Sequence, residues 1–399
     1  MSPSRVAVVL PDLEVGGLQA MAVELAGALD RSRFESCFYT FDGVGPLIAR
    51  LDELGLEHVH QPRRPGVDRG YAHGLAQRFV ADGIGLAHCH NVTAMFHGSR
   101  AARAARKLPV LFTEHDREMP APWRHRLLHR WLVRAVDRVA VVSAGLADEL
   151  VRYEGFPARR TRALVNGIPD PISAESSPGA ADAADAAETL GAASAPDAAR
   201  SLATARAAAR AALGWDERPV LLAVGSLTEV KNHATLIDVV AGLAPLTSGS
   251  PRLVIAGEGP LQGELSAAAA AAPTGRVQLL GRRSDIPRLL RAADVFVLPS
   301  HREGLSLSLI EAHAMGRPSV AFDVGGNGEV IVQDETGLLV PYPDARALGA
   351  ALSSLLGDGD RAARMGQSAR QRFLARFTHE RMVCAYAALY DELLTLRSH

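Results

Sequence analysis

Short apolar runs alternate with helical patterns along both halves of the chain, and this alternation most limits the folds open to it. Such alternation is typical of βαβ units, whose parallel strands are covered by helices on both faces. It predicts strands at 6–10, 36–41, 85–89, 110–113, 138–142 and 162–165, and in the second half at 220–224, 253–256, 277–280, 295–298, 319–322 and 337–340. We therefore expect an α/β protein with two Rossmann-like units of similar size.

Helical periodicity fills the intervals, for example at 18–29, 92–106 and 144–153. The C-terminal stretch 360–396 predicts one or two helices, with Thr378 as a candidate N-cap. No strand follows it. Because an amphipathic helix must bury its apolar stripe, we expect the terminal helix to pack on the N-terminal unit.

An alanine-rich segment separates the two units. About half of residues 174–212 are alanine, and the first part carries acidic but no basic side chains. That part lacks the large apolar groups that offset ordering entropy, which predicts a mobile acidic linker, whereas 198–213 favours a helix. It is either a functional insert or tolerated low-complexity filler. The predicted domains are 1–170, an insert at 171–214, 215–378, and a terminal helix at 379–399.

Composition excludes several classes of protein. The 399 residues include 43 Lys+Arg and 44 Asp+Glu, so the strongly basic character of most nucleic-acid-binding domains is absent. Cys37, Cys89 and Cys384 form no CxxC pair, which argues against a disulfide framework or a zinc site. The first residues run directly into an apolar strand rather than a signal peptide, and no unbroken apolar run of about 18 residues occurs. We expect a cytoplasmic protein.

The densest chemical signal is the segment 299–312, which follows the apolar strand 295–298. A strand that passes through a polar, glycine-containing turn into a helix presents free backbone N–H groups, and these form an anion site. Glu303 precedes the expected helix and Glu311 lies about two turns along it, which predicts carboxylates roughly 10 Å apart. Ionised carboxylates accept hydrogen bonds from sugar hydroxyls. The alternative is that Glu303 is a charge at the helix start and Glu311 a surface residue.

The segment resembles the Glu-x7-Glu motif of retaining GT-B glycosyltransferases of glycosyltransferase family 4. Further motifs of that family follow in order: Gly225 to Asn232, Gly257 to Leu261, Leu280-Gly281 with Asp285, and Arg317 to Ile331. In the first half the matching positions are Gly16-Gly17, His88 to His90, Thr113 to His115, Val142-Ser143 and Asn166 to Ile168. The resemblance covers almost the whole chain except the alanine-rich insert. It implies two Rossmann-like domains facing each other across a cleft, with the C-terminal helix packing back on the N-terminal domain.

The resemblance also implies residue roles. Lys231 would neutralise the donor diphosphate, Glu311 would bind the ribose hydroxyls, and Glu303 would bind the hydroxyls of the transferred sugar. His115 would lie beside the sugar and the leaving phosphate, although a structural loop histidine remains the alternative. His115, Lys231 and Glu303 would be the catalytic residues. Lys231, Glu303 and Glu311 would also bind the donor, and the other donor-binding positions would be Gly16, Gly17, Ser226, Arg282, Arg302, Gly304, Leu305, Ser306 and Leu307.

Two details concern the cations of this site. Lys107 and Lys231 are the only lysines among the 43 basic residues, so a lysine at 231 suggests that a compact ammonium is required there. Ser226 stands where the family usually has an arginine. Arg302, Arg282 or Arg283 are candidates to replace that charge.

The expected reaction is transfer of a sugar from a UDP- or GDP-sugar to a hydroxyl acceptor with retention, in polysaccharide, glycolipid or natural-product glycoside synthesis. The alternatives are a sugar-nucleotide epimerase of similar fold and an inert sugar-nucleotide-binding protein. No metal cofactor is expected, because His88-Cys89-His90 lacks further ligands at suitable spacing and Asp358-Gly359-Asp360 lies between two predicted helices, where aspartates serve as caps.

One stretch bears on the acceptor, which is expected to be a small molecule, a glycan or a lipid-linked sugar. Residues 123–134 carry Arg126, Arg130 and Arg134 beside Leu127 and Trp131. Such a basic amphipathic stretch can lie on an anionic membrane at the inner face. A domain helix with a solvated basic face is the favoured alternative.

Overall fold

The computed structural model describes residues 3–64, 68, 70–116, 122–175, 195–247 and 249–396. The chain divides into two compact units: unit 1 comprises Met1–Asn166 with His379–His399, and unit 2 comprises Gly167–Thr378. The acidic linker predicted within the insert falls at 176–194, outside the described residues.

Unit 1 is built on a seven-stranded parallel sheet in the order β3-β2-β1-β4-β5-β6-β7. The central strands are buried on both faces because helices cover both, which explains their unbroken apolar sequences. The strands are β1 (Ser4–Leu10), β2 (Phe34–Thr40), β3 (Glu57–His60), β4 (Ile84–His90), β5 (Val110–Glu114), β6 (Arg138–Val141) and β7 (Thr161–Ala163).

Unit 2 repeats the plan with six parallel strands in the order β10-β9-β8-β11-β12-β13. Its core joins residues of the sheet to those of the covering helices, among them Leu221, Leu236, Val297 and Leu348. The strands are β8 (Val220–Val224), β9 (Arg252–Ala256), β10 (Val277–Leu279), β11 (Val295–Leu298), β12 (Ser319–Phe322) and β13 (Gly337–Val340). The two parallel sheets confirm the predicted α/β class with two Rossmann-like domains.

Helices connect the strands in both units. Those of unit 1 are α1 (Gly17–Ala28), α2 (Ile48–Glu53), α3 (Tyr71–Ala81), α4 (Val92–Ala104), α5 (Trp123–Leu132) and α6 (Ala144–Glu154). Those of unit 2 are α7 (Pro171–Glu175), α8 (Ala195–Leu213), α9 (His233–Ala241), α10 (Gln262–Ala271), α11 (Ile286–Ala292), α12 (Leu307–Ala314), α13 (Asn327–Val330), α14 (Ala345–Gly357) and α15 (Gly359–Arg376). The last helix, α16 (His379–Thr395), belongs to unit 1. In the described chain, no helix is both long enough and apolar enough to cross a membrane.

The C-terminal helix α16 packs on the sheet of unit 1. Met382, Tyr386, Leu389, Tyr390 and Leu393 are buried in one cluster with strand residues of β1, so the apolar stripe of this helix completes one face of the sheet. Asp358 caps α15, with its Oδ1 accepting the Arg361 N–H at 2.9 Å. This contact confirms the capping interpretation of the Asp-Gly-Asp segment.

The second half of the alanine-rich segment is a helix integrated into unit 2. Arg210 of α8 is 3% exposed in its side chain, and its Nη2 donates to Asp294 Oδ2 at 2.6 Å. Its Nε donates to the carbonyl of Ala292 at 2.9 Å. Residues 195–213 are therefore held by unit 2, although the sequence interpretation grouped them with the insert.

Candidate functional site

The strand order of unit 2 reverses direction between β8 and β11. In open α/β sheets, ligands bind in the crevice outside the carboxyl ends of the strands at such a switch point. The loop after β8 (225–232) and the loop after β11 (299–306) leave the sheet on either side of this point. They carry Lys231 and Glu303, respectively.

Lys231 and Glu303 form an ion pair across the switch point. Lys231 Nζ donates to Glu303 Oε1 at 2.6 Å, and Ser300 Oγ donates to the same oxygen at 2.6 Å. The side chain of Glu303 is 8% exposed and that of Lys231 is 24% exposed. The pair therefore directs one oxygen of Glu303 toward protein donors and leaves Oε2 as an acceptor.

Backbone contacts fix the two loops to each other. Asn232 adopts a left-handed conformation (φ 53°), and its Nδ2 donates to the carbonyl of Pro299 at 3.0 Å. The His301 N–H donates to the carbonyl of Val230 at 2.8 Å. These bonds hold the residues next to Lys231 and Glu303, so the ion pair is positioned by the backbone on both sides.

A glycine turn after β12 supports the loop that carries Glu303. Gly325 has φ 51°, and a Cβ built on it would lie 1.7 Å from the carbonyl oxygen of Glu303. On Gly326, a Cβ would lie 2.2 Å from the carbonyl oxygen of Gly304. Only glycine allows the two backbones to approach this closely, because any side chain would displace the Glu303 loop.

Helix α12 begins later than the sequence interpretation assumed. Ser306 is its N-cap, and the Ser306 Oγ accepts the Leu309 N–H at 3.4 Å. The backbone groups of Gly304 and Leu305 therefore belong to the preceding loop, and the free N–H groups of the first turn are those of Leu307 and Ser308. The expected position of Glu311 two turns along the helix is wrong, because residues 303–306 are not helical and Glu311 lies only just beyond the first turn.

Glu311 is half-buried on α12. No hydrogen bond or ion pair to its carboxyl group occurs within the described part of the chain. Burial raises the pKa of this carboxyl to about 7. A desolvated carboxylate without a partner is costly, so hydroxyl donors from a ligand would stabilise its charged form.

The three candidate arginines differ in their contacts and in their positions. Arg283 makes two bonds of 2.7 Å to the carboxylate of Asp285, while Arg282 Nη1 lies 3.4 Å from Glu258 Oε1 at the surface. Arg302 is half-buried in the loop after β11, next to Glu303. Ser226 is exposed in the loop after β8.

Unit 1 has an equivalent switch point between β1 and β4. Gly16, extended at φ −148°, is the N-cap of α1, and Gly17 is the first residue of that helix. His115 follows β5, and its Nε2 lies 3.0 Å from Nδ1 of His90, with the two rings stacked at 5.3 Å. Burial lowers the pKa of His115 to about 3, so the pair is neutral at physiological pH.

A further histidine of unit 1, His88, contacts two hydroxyl groups in the interior of the unit. His88 Nδ1 lies 2.7 Å from the hydroxyl of Tyr390, and its Nε2 lies 2.7 Å from Thr113 Oγ1. Both ring nitrogens of His88 therefore have hydroxyl partners, one of them on the C-terminal helix. Sequence reasoning did not find the His90–His115 pair or this network. The alternation within β4, which places His88 and His90 on one face, was the available signal.

Comparisons with known proteins agree with this geometry. A family model described as Glycosyl transferases group 1 matches residues 205–372, and one described as Glycosyltransferase Family 4 matches residues 15–170. The chain is 30% identical over 299 residues to the alpha-maltose-1-phosphate synthase of Mycolicibacterium smegmatis, covering 68% of this chain and 70% of that protein. It is 31% identical over 346 residues to the glycogen synthase of Mycobacterium tuberculosis, covering 86% and 71% of the two chains.

Among solved structures, the Anabaena protein Alr3699/HepE in complex with UDP and glucose has a TM-score of 0.79 at 20% identity, covering 98% of this chain and 100% of that one. WaaG, a glycosyltransferase involved in lipopolysaccharide biosynthesis, has a TM-score of 0.69 at 18% identity, covering 95% and 98%. Fold and site thus define a glycosyltransferase with two Rossmann-like domains. The chain belongs to glycosyltransferase family 4, whose members have the GT-B fold.

Proposed function

We propose that this glycosyltransferase moves a sugar from a nucleoside diphosphate sugar to a hydroxyl acceptor with retention of anomeric configuration. The observation that carries the proposal is the Lys231–Glu303 pair at the switch point of unit 2, which offers an ammonium to a diphosphate and a carboxylate oxygen to sugar hydroxyls. Support for a UDP-sugar comes from the Anabaena neighbour, which holds UDP and glucose, with a GDP-sugar as the alternative donor.

In the proposed reaction, the bond between the anomeric carbon and the phosphate oxygen breaks on the same face on which the acceptor oxygen attacks. The departing phosphate oxygen takes the proton of the acceptor hydroxyl. Lys231 and the N–H groups of Leu307 and Ser308 stabilise the negative charge that grows on the diphosphate, and preorganised electrostatic stabilisation of this kind usually contributes most to catalysis. The proposed reaction uses no metal ion and relies on these positive groups instead.

Two carboxylates, those of Glu303 and Glu311, make the proposed contacts with the donor. Oε2 of Glu303 accepts hydrogen bonds from the transferred sugar while Oε1 stays bound to Lys231 and Ser300. The Glu311 carboxylate accepts hydrogen bonds from the ribose hydroxyls, and these bonds compensate for the burial of its charge. Gly16 and Gly17 allow the loop after β1 to approach a ligand closely.

His115 contributes a ring N–H to the donor sugar, and His90 sets which nitrogen carries it. His90 Nε2 is buried and has no hydrogen-bond partner among the described residues. A proton on that nitrogen would leave a buried N–H unsatisfied, which proteins avoid. The proton of His90 therefore sits on Nδ1 and donates to His115 Nε2, so that His115 carries its own hydrogen on Nδ1.

Arg302 is the cation that we propose in place of the usual arginine at Ser226. It lies in the same loop as Glu303, whereas Arg283 lies after β10, away from the loops that carry Lys231 and Glu303. Arg302→Ala is expected to weaken binding of UDP about tenfold, the effect of losing one charge-assisted hydrogen bond. Arg283→Ala is the matched control, and equal losses in the two variants would contradict the assignment. Isothermal titration calorimetry measures both.

The decisive experiment analyses products with UDP-glucose, GDP-mannose and ADP-glucose, each with and without a panel of hydroxyl acceptors. Release of nucleoside diphosphate only with acceptor, and a glycoside with the donor's anomeric configuration by NMR, supports the proposal. A changed donor indicates epimerisation, and binding without turnover indicates an inert binding protein. Inversion of configuration would overturn the proposed chemistry, and loss of activity with EDTA would overturn metal independence.

The location that we propose is the cytoplasm, with contact to the inner face of the membrane when the acceptor is lipid-linked. The basic and apolar surface of α5 supports this contact. Polysaccharide, glycolipid and natural-product glycoside assembly all remain within the proposed substrate range.

A further inference from the structure

Helix α12 connects the proposed donor site with the packed part of unit 2 behind it. Its first turn presents the free N–H groups of Leu307 and Ser308, and its last residue is the buried Ala314. Because an α-helix rises 1.5 Å per residue, the two ends of α12 lie only about 12 Å apart. A short hydrogen-bonded helix moves as one rigid element, so the contacts that hold its last turn also set the position of its first turn.

The last four carbonyl groups of α12 all have hydrogen-bond partners, and one of these partners comes from another helix. Three of the carbonyl groups accept backbone N–H groups of the turn that follows α12, at 2.8 to 3.0 Å. The fourth, the carbonyl oxygen of Ala314, accepts Nη1 of Arg370 on α15 at 2.9 Å. A guanidinium both satisfies this carbonyl and complements the negative end of the helix dipole.

Arg370 is fixed in turn by a carboxylate near the start of unit 2. Its Nη1 and Nη2 donate to Oδ1 and Oδ2 of Asp170 at 2.7 and 2.6 Å, a paired geometry that sets the plane of the guanidinium. Asp170 also accepts the Ile172 N–H at 3.1 Å and the Ser173 hydroxyl at 2.9 Å. Although burial alone raises it, the bonds from Arg370 hold the pKa of Asp170 below its usual value. The pair therefore stays charged at neutral pH.

Helix α15 contacts the end of α12 and the segment that carries Asp170 at the same time. A Cβ built on Gly366 of α15 would lie 2.3 Å from the carbonyl oxygen of Gly316, in the turn after α12, so only glycine allows this approach. At the end of α15, the carbonyl of Phe377 accepts the Ile168 N–H at 3.0 Å. Arg370 thus lies between two segments that α15 already holds.

We propose that Arg370 is a positioning residue for the donor site. By holding the last turn of α12 against Asp170, it sets where the N–H groups of the first turn and the Glu311 carboxyl lie. The guanidinium serves the Ala314 carbonyl and both Asp170 oxygens at once, which a lysine ammonium, lacking the planar fork, does not reproduce. The inference rests on the proposed function, because the groups that α12 carries are those assigned to the donor.

The test compares Arg370→Lys with a matched arginine of the same unit. Arg210 has the same arrangement at the end of another helix, since it donates to the carbonyl of Ala292, the last residue of α11, and to Asp294. Both lysine variants keep the charge and lose the fork, so both are expected to be less stable toward urea. Calorimetry is expected to show UDP binding about tenfold weaker in Arg370→Lys and within about twofold of wild type in Arg210→Lys. Equal weakening in the two variants, or unchanged binding by Arg370→Lys, would overturn the proposal.

Hydrogen exchange of the free protein separates this proposal from the proposed function. The amides of α12 are expected to exchange about tenfold faster in Arg370→Lys than in wild type, and at the wild-type rate in Arg210→Lys. Unchanged exchange of α12 in Arg370→Lys would overturn the proposal whether or not a nucleotide binds. A wild-type protein that binds none of UDP, GDP and ADP, with faster α12 exchange in Arg370→Lys, would reject the proposed function and leave the hold of Arg370 on α12 intact.

A second variant decides the matter if Arg370→Lys does not fold. Asp170→Asn removes the charge that fixes the guanidinium but leaves Arg370 able to donate to the Ala314 carbonyl. We expect the same two changes at about a third of their size, namely about threefold weaker UDP binding and about threefold faster exchange of α12. Wild-type values of both in Asp170→Asn would overturn the proposal.

Discussion

The two units use the same sheet topology but place opposite chemistry at their switch points. In unit 2 the loops after β8 and β11 carry a charged pair, Lys231 and Glu303, and the glycine turn at 325–326 supports it. In unit 1 the corresponding edge carries neutral histidines and hydroxyls, with His90 and His115 in contact. Burial lowers the pKa of both rings, so this edge stays uncharged near pH 7.

This difference shows that one sheet topology can carry either charged or neutral groups at its switch point, and the proposed function assigns a separate role to each. A diphosphate needs fixed positive charge and backbone N–H groups, which the edge of unit 2 supplies. Under the proposed function, sugar and acceptor hydroxyls would use neutral donors and acceptors of the kind found at the edge of unit 1. The predictions below test this division, from the largest expected effect to the smallest.

Removing the ammonium at the edge of unit 2 should have the largest effect. Lys231→Gln is expected to lower kcat/KM by about 10²–10³, the loss typical of one preorganised charge-stabilising group. Lys107→Gln is the matched control, because it changes the only other lysine, which is exposed in unit 1. Steady-state kinetics on both variants measure the effect. If Lys231→Gln retained most of its activity, the charge at unit 2 would not drive transfer.

The glycine support of that edge is the next target. Gly325→Ala places a Cβ where the carbonyl oxygen of Glu303 lies, at a positive φ that alanine disfavours. We expect the free energy of unfolding to fall by about 1–3 kcal/mol, with weaker UDP binding because the Glu303 loop moves. Urea unfolding and calorimetry measure the two effects. Gly263→Ala, which meets no atom within 4 Å, is the control and should lose neither stability nor binding.

Most of the scaffold is predictable from the sequence because buried parallel strands are continuous apolar runs. All six strands of unit 2 are confirmed to within a residue at either end. Strand β3 was missed because Glu57, His58 and His60 surround a single apolar Val59, as suits the polar edge of a sheet. Edge strands lack the second buried face that makes the central ones recognisable.

The site was predictable in its charged residues but not in its contacts. The motif indicated Lys231 and Glu303, yet their bond to each other and to Ser300 depends on loops from different strands, which sequence spacing does not measure. The predicted start of α12 was too early. Ser306, a favourable N-cap before an apolar run, could have indicated the true start at Leu307. His90 as the partner of His115 depends on the register of β4 against β5.

Breaking the neutral pair of unit 1 should have an intermediate effect. His90→Asn keeps an N–H near the position of Nδ1, whereas His90→Ala removes the donor to His115. We expect kcat/KM to fall about tenfold in the alanine variant and less in the asparagine variant, because tautomer and orientation are only partly retained. Nitrogen-15 NMR of the histidine rings should show the hydrogen of His115 on Nδ1 in wild type. A hydrogen on Nε2 would contradict the inferred direction of the bond.

The smallest effect concerns Glu311 and pH. Its pKa, raised to about 7 in the free protein, means that the carboxyl is partly protonated at neutral pH. If ribose hydroxyls bind the carboxylate, donor binding releases a proton, so affinity should rise with pH toward a plateau above about 7 and fall up to tenfold per unit below it. Glu311→Gln should bind UDP more weakly above pH 7 and show no such slope. Because burial disfavours the charged form, the same variant should gain thermal stability at pH 8 without ligand. A wild-type affinity that does not vary between pH 5.5 and 8 would show that Glu311 does not exchange a proton on binding, and the recognition at unit 2 would then rest on Lys231 and Glu303.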